Sequence, residues 1–414
     1  MCSTEKEKQE ILQKNNLLDK GLPDHFEIVY PYTDDELTYM LKHKVNSITL
    51  AVTENCNLRC EYCGYMEKYL NKNYRLKNMS EEVAFRAIDF LMENSSSQCE
   101  LSVSFYGGEP LLNFDLVKAC VAYCHKRYPF RIPQYHITTN GLLLSREDIV
   151  DYLVDNDFMV TISLDDPQKR QDIFRKKVDG TPSYFEVIRG LQLLYSKGGM
   201  DFFYRKVSIN AVSVPGLMNK ELYEFFDNMC INKITQVGLA ETDYFKQLLE
   251  KLNINAGQDE TLDISKYDFA YMSTINTMQK YFKAFTNPVL TERVLPGGFC
   301  TPGVRKNFVT TDGFLIICER VDETQPIFCL GDVWNGIDFK KVKHVIDVTK
   351  QKLESCKFCW AARFCSLCFR DVLNPDKNFC AQSREDVEQD IKYYLTHIIN
   401  NRLIMDYLSN LTVD

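Results

Sequence analysis

The chain has 414 residues, of which 45% are hydrophobic and 26% are charged, with a Gly and Pro content that excludes collagen-like and low-complexity classes. Its net charge of −8 at pH 7 gives no electrostatic argument for nucleic acid or a membrane as a partner. The charged N-terminus and the lack of any long apolar run predict a cytoplasmic protein. In such a reducing compartment, the 16 cysteines favour metal ligation or catalysis over disulfides.

Residues 46–241 alternate short β-branched runs with amphipathic helical patterns. Six runs are predicted to be strands: Ser47–Thr53, Glu100–Tyr106, Tyr135–Thr139, Met159–Leu164, Val207–Val214 and Ile234–Ala240. Helices are predicted after the N-cap Ser80, over Phe114–Arg127, after the N-cap Ser145, over Tyr184–Tyr195 and over Lys220–Met229. Six β–α units in series predict an α/β fold, an open (β/α)6 partial barrel whose active site lies at the carboxyl ends of its strands.

The segments around this predicted barrel differ in composition. The expected division is an N-terminal segment (1–45), the partial barrel (46–245), a helical spacer (246–290), a small cysteine-rich domain (291–385) and a C-terminal helix (386–414). The helical pattern of the tail begins at Glu385 and runs to Leu408.

Three cysteines follow the first predicted strand in the segment TENCNLRCEYCGY, as Cys56, Cys60 and Cys63. Three thiolates in one tight loop suit an iron–sulfur cluster, and a 4Fe–4S cube so held keeps one iron open for a substrate or cofactor. The alternative is zinc, which would need a fourth ligand, and no further His or Cys lies close in sequence.

Glycines and polar residues follow the other predicted strands. Tyr106 precedes the run GGEP, in which the two glycines allow close backbone approach to a ligand and Glu109 offers a carboxylate. The remaining candidates at or after strand ends are Thr139, Asn140, Ser163, Asp165, Arg175 and Asn210.

The segment CNLRCEYC resembles the signature of the radical S-adenosylmethionine (SAM) superfamily, with Tyr62 at its aromatic position, and GGEP resembles a second motif of that family. The resemblance implies that the three cysteines hold a 4Fe–4S cluster whose open iron binds SAM, and that SAM is cleaved to a 5′-deoxyadenosyl radical. It further implies SAM contacts by Tyr62, Gly107, Gly108, Glu109, Thr139, Asn140, Ser163, Asp165, Arg175 and Asn210.

Eight further cysteines lie between Cys300 and Cys380. Their spacing, C-x12-G-x4-C followed by C-x2-C-x5-C-x2-C and a last Cys, resembles the SPASM domain, which carries auxiliary clusters, although that family has x3 in the final gap. The resemblance implies one 4Fe–4S cluster on Cys356, Cys359, Cys365 and Cys380, and another on Cys300, Cys318 and Cys368. Cys329 is either a fourth ligand of the latter cluster, which otherwise keeps an open site, or a bystander. Zinc is the alternative for the paired C-x2-C knuckles.

The two resemblances together imply a peptide maturase with three 4Fe–4S clusters and SAM, similar to the thioether-forming ranthipeptide and sactipeptide enzymes. Its expected partners are a Cys-containing precursor peptide and a reductant such as flavodoxin or ferredoxin. The alternatives are an anaerobic sulfatase-maturating enzyme, disfavoured because that group has Gln where this chain has Tyr106, and an enzyme that forms carbon–carbon cross-links. An iron–sulfur or zinc-binding interaction module is the non-enzymatic alternative.

Two expectations rest on weaker patterns. No general base stands out, and Asp165, Asp166 and Asp312 are merely acidic residues near plausible cavities. The segment before the first strand is too short for a complete leader-recognition domain.

Overall fold

The computed structural model describes residues 27–63, 75–165, 167–213, 224–225, 229, 234–238, 281, 293–294, 298–373 and 380–398. The strands are β1 Glu27–Ile28, β2 Ser47–Thr53, β3 Leu58–Cys60, β4 Ser102–Gly107, β5 Gln134–Thr139, β6 Met159–Ser163, β7 Arg175–Lys177, β8 Val207–Ser213, β9 Ile234–Gly238, β10 Arg293–Val294, β11 Asn307–Val309, β12 Phe314–Ile316, β13 Cys329–Asp332 and β14 Gly336–Ile337. The α-helices are α1 Asp34–His43, α2 Glu81–Glu93, α3 Phe114–Arg127, α4 Glu147–Asp155, α5 Gln168–Phe174, α6 Tyr184–Lys206, α7 Phe339–Lys352, α8 Phe369–Leu373 and α9 Cys380–Tyr393.

The chain forms two compact units. The sheet unit comprises Asp34–Ser273 and Thr301–Val342, and the terminal unit comprises Met1–Thr33, Thr274–Cys300 and Lys343–Asp414. No helix within the described residues is long and apolar enough to cross a membrane.

The described part of the sheet unit contains a mixed ten-stranded sheet with the strand order β14-β13-β12-β11-β2-β4-β5-β6-β8-β9. The six predicted strands lie side by side in chain order and pair in parallel. A seventh parallel strand, β11, joins the edge of β2, and β12 to β14 extend it in antiparallel fashion. The sheet therefore takes in strands from the segment that the sequence analysis assigns to the cysteine-rich domain.

One face of the sheet packs in the hydrophobic core with the helices. Alternate residues of each central strand, such as Leu50, Phe105 and Ile162, are fully buried there, beside helix residues such as Val117 and Leu153. The residues between them are half-buried, so the strands alternate with the period of two that a sheet with one apolar face requires.

Helix boundaries follow the sequence signals where a local cap decides them. The predicted N-cap Ser80 is confirmed, because its hydroxyl accepts a hydrogen bond from the Val83 amide at the start of α2. The predicted N-cap Ser145 is wrong, since Leu142–Ser145 forms a 3₁₀ turn in which the Ser145 hydroxyl donates to the Leu142 carbonyl, and α4 begins at Glu147.

Two helices run differently from their predicted bounds. Helix α6 continues past Tyr195 to Lys206 through a kink at Gly199, whose φ of 71° is a left-handed value that glycine adopts at little cost. The tail helix begins at Cys380 and passes into a π-helical turn over Tyr394–Ile398. The predicted spacer apart from Tyr281, most of the predicted Lys220–Met229 helix and the end of the tail lie outside the described residues.

Candidate active site at the carboxyl ends of the parallel strands

The loop after β2 carries the three clustered cysteines. Cys56 and Cys60 are buried, and Cys63 is half-buried. Strand β3 holds Cys60 in place because it pairs antiparallel with β7, with Cys60 opposite Arg175. The loop is therefore anchored at its start by β2, which precedes it, and at Cys60 by the pairing of β3 with β7.

Burial governs the chemistry of these thiols. Burial, together with the charges of Glu109 and Cys63, raises the pKa of Cys56 to about 12, against hydrogen bonds from the Leu58 amide and the Asn140 side chain. Burial also raises the pKa of Cys60, and the Arg175 guanidinium opposes that rise. Two buried thiols of this kind need a cationic partner before they ionise, which is what an iron–sulfur cluster supplies.

The donor set therefore fits a thiolate-ligated cluster by its chemistry: three sulfur atoms, two of them buried, with hydrogen-bond donors aimed at them. Within the described ranges, no group of three or more His, Cys, Asp or Glu side chains is arranged to hold a metal ion. The cluster assignment is taken up below as a proposal.

The two glycines after β4 allow the backbone of the chain to pack against itself. A Cβ on Gly107 would lie 2.2 Å from the Thr53 carbonyl oxygen, and one on Gly108 would lie 2.1 Å from that of Asn55. The Gly108 amide donates to Thr53, and the Glu109 amide donates to Asn55. The glycines thus join the end of β4 to the start of the cysteine loop, whereas the sequence analysis assigned them to close approach of a ligand.

We expect Gly108→Ala to destabilise the sheet unit by about 1–3 kcal/mol or more, because its methyl group must push the cysteine loop away. Gly180→Ala is the matched control, since nothing lies within 4 Å of its Cβ position and only its left-handed φ is strained. Urea denaturation of both variants measures the difference. Gly180→Ala should itself lose about 1–2 kcal/mol through that φ, so only a loss of less than about 1 kcal/mol in Gly108→Ala would mean that the contact with Asn55 carries no weight.

Glu109 is a fully buried carboxylate that binds the next strand end. It accepts hydrogen bonds from the Thr139 hydroxyl and the Asn140 amide, both at 2.7 Å, and from the Leu111 amide at 3.1 Å. The side chain of Asn140 in turn donates to Asn57 at 2.7 Å. Burial nevertheless raises the pKa of Glu109 to about 7, with the three hydrogen bonds opposing the rise.

A raised carboxyl pKa has a definite pH signature. Below pH 7 the folded protein binds the Glu109 proton more tightly than the unfolded chain does, so this residue makes stability fall as the pH rises towards 7. The stability difference between wild type and Glu109→Gln should therefore shrink by up to about 1.4 kcal/mol per pH unit between pH 5.5 and 7. Denaturant titrations of both proteins, with the exposed Glu147→Gln as control, measure it. A pH-independent difference would contradict the raised pKa.

A second buried cluster joins β6 to β7. Asp165 and Arg175 form a bidentate ion pair with N–O distances of 2.8 and 3.1 Å, and both side chains are at most 8% exposed. The Tyr62 hydroxyl and the Val212 amide also donate to Asp165, and the guanidinium lies 5.3 Å from the centre of the Tyr62 ring. The remaining Arg175 nitrogen points to Cys60 Sγ at 4.0 Å.

The sequence analysis missed the residues that support this cluster. Gln171 is fully buried, accepts a hydrogen bond from the Asp165 amide and donates to Ser183. Ser183 donates to the Arg175 carbonyl, and Asp172 accepts from the first amides of α6. A buried Gln and Ser within the QKRQDIF and TPS runs carry no pattern that distinguishes them from surface residues.

The other predicted strand-end residues lie on neighbouring strands. Ser163 on β6 is opposite Asn210 on β8, and both are half-buried. Burial, together with the nearby Glu319 carboxylate, raises the pKa of Tyr106, the residue before the glycines, to about 12. The structure thus brings all ten predicted SAM-contact residues into the sheet unit, around the cysteine loop and the ends of β4 to β8.

The acidic candidates for a general base lie in different settings. Asp165 is the buried partner of Arg175. Asp312 is exposed and forms a surface ion pair with Lys77. Asp166 lies outside the described residues.

The cavity of about 320 Å³ in the sheet unit does not involve the predicted site. It is lined mainly by helices α1 and α2 and the β13–β14 turn, and its wall includes Lys42, Arg86, Phe90, Trp334 and Ile337.

Four of the later cysteines gather in the terminal unit. Burial, together with the nearby Cys380, Cys359 and Cys365, raises the pKa of Cys356 to about 11. Cys365 Sγ lies 3.2 Å from the Ser383 hydroxyl of α9. Cys356 inside the 3₁₀ segment Glu354–Phe358, and Cys359 and Cys365 after it, thus share one neighbourhood with Cys380, the first residue of α9.

The remaining cysteines are divided between the units. In the terminal unit, Gly298 packs closely against Ser366: a Cβ on Gly298 would lie only 2.1 Å from the Ser366 carbonyl oxygen. This contact places the chain just before Cys300 next to the chain just before Cys368. In the sheet unit, Cys318 accepts a hydrogen bond from the Arg320 amide, and Cys329 on β13 pairs with Ile316.

Comparison with known proteins shows what the sheet unit is similar to. Residues 50–229, somewhat less than half of the chain, match the model of the Radical SAM superfamily. The cysteine loop, the glycine turn and the Asp165–Arg175 pair all lie within the matched residues.

Two relatives match this chain over somewhat less than half of their own length. The chain is 36% identical over 156 residues to an uncharacterised protein of Methanocaldococcus jannaschii, covering 38% of this chain and 49% of that one. It is 33% identical over 192 residues to a serine-type anaerobic sulfatase-maturating enzyme of Bacteroides thetaiotaomicron, covering 45% and 44% respectively. The chain therefore spans about half the length of these relatives.

A solved structure supports the fold over a longer stretch. The structure of native anSMEcpe with bound AdoMet superposes with a TM-score of 0.62 at 19% identity, covering 88% of this chain and 100% of that one. The similarity shows a shared α/β fold with a mixed sheet and helices.

Proposed function

We propose that this protein is a radical SAM enzyme that modifies a peptide and closes a thioether between a cysteine sulfur and a carbon atom. The observation that carries the radical SAM part is the convergence of Cys56, Cys60 and Cys63 with the Asp165–Arg175 pair at one edge of the parallel sheet. Relatives that modify proteins support a peptide or protein substrate.

Each part of the site has a role in this proposal. The three thiolates would hold a 4Fe–4S cluster. Arg175 would orient Cys60 through Nη1, the guanidinium nitrogen that does not bind Asp165. The curved partial barrel over residues 46–245 would present the strand ends to SAM, with Tyr62 and the residues from Gly107 to Asn210 around it. When bound, the cluster and SAM would supply a 5′-deoxyadenosyl radical that abstracts hydrogen from carbon.

The thioether step needs an acceptor for one electron. A peptide carbon loses a hydrogen atom to the radical, the cysteine thiol loses a proton, and the new C–S bond releases one electron. We assign this electron to auxiliary 4Fe–4S clusters in a SPASM domain over residues 291–385. The proximity of Cys356, Cys359, Cys365 and Cys380 supports one of these clusters. Cys300, Cys318 and Cys368 would hold the other, with Cys329 or an open site completing it.

A second candidate is an anaerobic sulfatase-maturating enzyme, which converts a cysteine or serine to formylglycine. The observation in its favour is the Bacteroides thetaiotaomicron relative of that type. Against it stands Tyr106, where the sequence pattern of that group has Gln.

The product distinguishes the two candidates. Reconstituted protein, SAM and dithionite, or a flavodoxin or ferredoxin system, are incubated with peptides encoded by short reading frames beside the gene and with a sulfatase-derived peptide. We expect a peptide that loses two hydrogen atoms and whose cysteine resists alkylation. Loss of the cysteine sulfur, or a new aldehyde on the sulfatase peptide, would favour the second candidate. Loss of two hydrogens with a freely alkylated cysteine would indicate a carbon–carbon cross-link.

A further inference from the structure

The cavity of about 320 Å³ in the sheet unit lies at the opposite end of the parallel strands from the candidate active site. Its wall includes Phe90 and Asn94 at the end of α2. This end of α2 is bound to the chain just before β2, because the Val45 amide donates to the Asn94 carbonyl and the Ser96 amide donates to that of His43. The cavity therefore borders the amino end of β2, whereas the cysteine loop follows its carboxyl end.

The length of β2 sets the distance between the two places. Its seven residues span about 23 Å, so a group bound in the cavity is too far from the three cysteines to react there. An extended peptide covers this distance with at least about seven residues, since each residue adds about 3.3 Å. The cavity can thus hold a second segment of a peptide that reacts at the strand ends, which a compact small molecule cannot supply.

The aromatic wall of the cavity is held in one position. Trp334 is half-exposed in the β13–β14 turn, where the Asp332 carboxylate accepts hydrogen bonds from the amides of Trp334 and Asn335 at 2.9 and 2.8 Å. Its ring packs on Gly313, where an added Cβ would lie 2.8 Å from it. A ring that is fixed before binding can pack against a ligand ring at a low cost in side-chain entropy.

The floor of the cavity is apolar. Phe90 and Leu41 are buried, and Leu41 and Ile337 both pack against Gly303, where a Cβ would lie 2.7 and 3.0 Å from them. The volume is at the small end of the range for ligand pockets, about 300–1,000 Å³. Together with Trp334, this floor suits one aromatic side chain.

Three charged side chains line the cavity. Arg86 donates to the Glu93 carboxylate from both Nη atoms, at 3.1 and 3.0 Å, so these two charges compensate each other. Lys42, in the last turn of α1, is exposed and forms no ion pair with any residue that the structure describes. The lining thus has one uncompensated positive charge.

The acidic groups around the cavity do not cancel this charge. Asp332 and Asp338 on the hairpin side each accept hydrogen bonds from backbone amides of their own turns. The acidic residues of α1 all lie in its first turn, at the other end of the helix from Lys42. The Phe90 carbonyl at the end of α2 already accepts from Asn94. A carboxylate beside the bound ring therefore complements the cavity better than an ammonium group does.

We propose that this cavity, bounded by α1, α2 and the β13–β14 turn, binds an aromatic residue with an adjacent Asp or Glu in a segment of the peptide substrate remote from its reacting residue. Trp334 packs against the ring, and Lys42 pairs with the carboxylate. The inference rests on the proposed function for its peptide substrate. A second attachment point of this kind raises the affinity for the whole peptide above that of its reacting segment alone.

Tryptophan fluorescence reports binding directly, because the chain has only two Trp residues, Trp334 and Trp360. The full-length reconstituted protein is titrated with a capped ten-residue peptide that carries one Phe-Glu-Asp run in a Gly-Ser background. We expect a saturable change in emission below about 1 mM peptide, the range of a weak specific complex. Trp360→Phe should keep this change. Trp334→Phe should lose it while still binding the peptide in calorimetry, since its ring remains aromatic.

Calorimetry of further variants measures the two contacts. Trp334→Ala and Lys42→Glu should each weaken binding at least about tenfold. The matched controls are Phe130→Ala, a fully exposed ring of the same unit, and Lys126→Glu, an exposed Lys in the last turn of α3. Both controls should keep the wild-type affinity. A peptide with Lys-Lys in place of Glu-Asp should bind Lys42→Glu more tightly than wild type.

The outcomes distinguish the inference from the function on which it rests. If wild type forms no 5′-deoxyadenosine from SAM, the proposed function fails, whatever the peptide does. If wild type forms it, but the acidic peptide does not bind or binds all variants equally, the inference alone is overturned. It is also overturned if wild type binds the Lys-Lys peptide more tightly than the acidic one, since the cavity then selects a cation.

Discussion

Cys60→Ala is expected to remove one complete cluster from the protein. If three 4Fe–4S clusters are present, anaerobically reconstituted wild type contains about twelve iron atoms per chain, and the variant should contain about eight. The reason is local: Cys60 is one of the two buried cysteines of the trio and lies opposite Arg175 on β7, and no cysteine outside the trio lies nearby in the sequence to replace it.

Cys99→Ala is the matched control for this experiment. Cys99 is a half-buried cysteine of the same unit, and its sulfur lies 3.3 Å from the Ser96 hydroxyl instead of in the loop. The control should keep all the iron and the wild-type electron paramagnetic resonance spectrum of the reduced protein. Equal iron in Cys60→Ala and Cys99→Ala would show that the cysteine loop holds no cluster.

Arg175→Met is expected to lower the stability of the sheet unit by about 3–5 kcal/mol, because it leaves the Asp165 carboxylate buried without its counter-charge. The double variant Asp165→Asn/Arg175→Met removes both charges and should be less destabilised than the single variant. Denaturant titration of wild type, both single variants (Arg175→Met and Asp165→Asn) and the double variant gives the coupling between the two side chains.

An exposed ion pair provides the control for the buried one. Arg205→Met breaks the pair with Asp201 on the surface of α6, where the side chains are 62% and 78% exposed, and should cost less than about 1 kcal/mol. If Arg175→Met lost no more stability than Arg205→Met, the Asp165–Arg175 pair would not be required for the stability of the sheet unit. If Arg175 also acts on Cys60, the electron paramagnetic resonance spectrum of the reduced cluster should change in Arg175→Met. A purely structural role of Arg175 would leave this spectrum unchanged.

The parallel part of the sheet could be predicted because its signal is local. The first predicted strand agrees with β2 at both ends, and the helix Phe114–Arg127 agrees with α3, since period-two and helical patterns are written in consecutive residues. The seventh parallel strand could not be predicted. Asn307–Val309 has three residues, and its position beside β2 depends on pairing across more than 250 residues.

The site shows the same limit. The cysteine spacing and the GGEP run are contiguous, so they could be assigned before the structure was known. The pairing of Asp165 with Arg175, and its support by Gln171, could not be predicted in this way. Both depend on β7 folding back onto the cysteine loop. At Gly108, the sequence indicated a close approach to the backbone. In the structure, the carbonyl group of Asn55 approaches the Gly108 backbone closely.

The most direct test of the central proposal is the formation of 5′-deoxyadenosine by the reconstituted protein. Wild type, SAM and dithionite are mixed without oxygen, and the product is quantified by liquid chromatography. The account predicts multiple turnovers by wild type and by Cys99→Ala, and none by Cys60→Ala. No 5′-deoxyadenosine from an iron-replete wild type, or the same amount from Cys60→Ala, would contradict it.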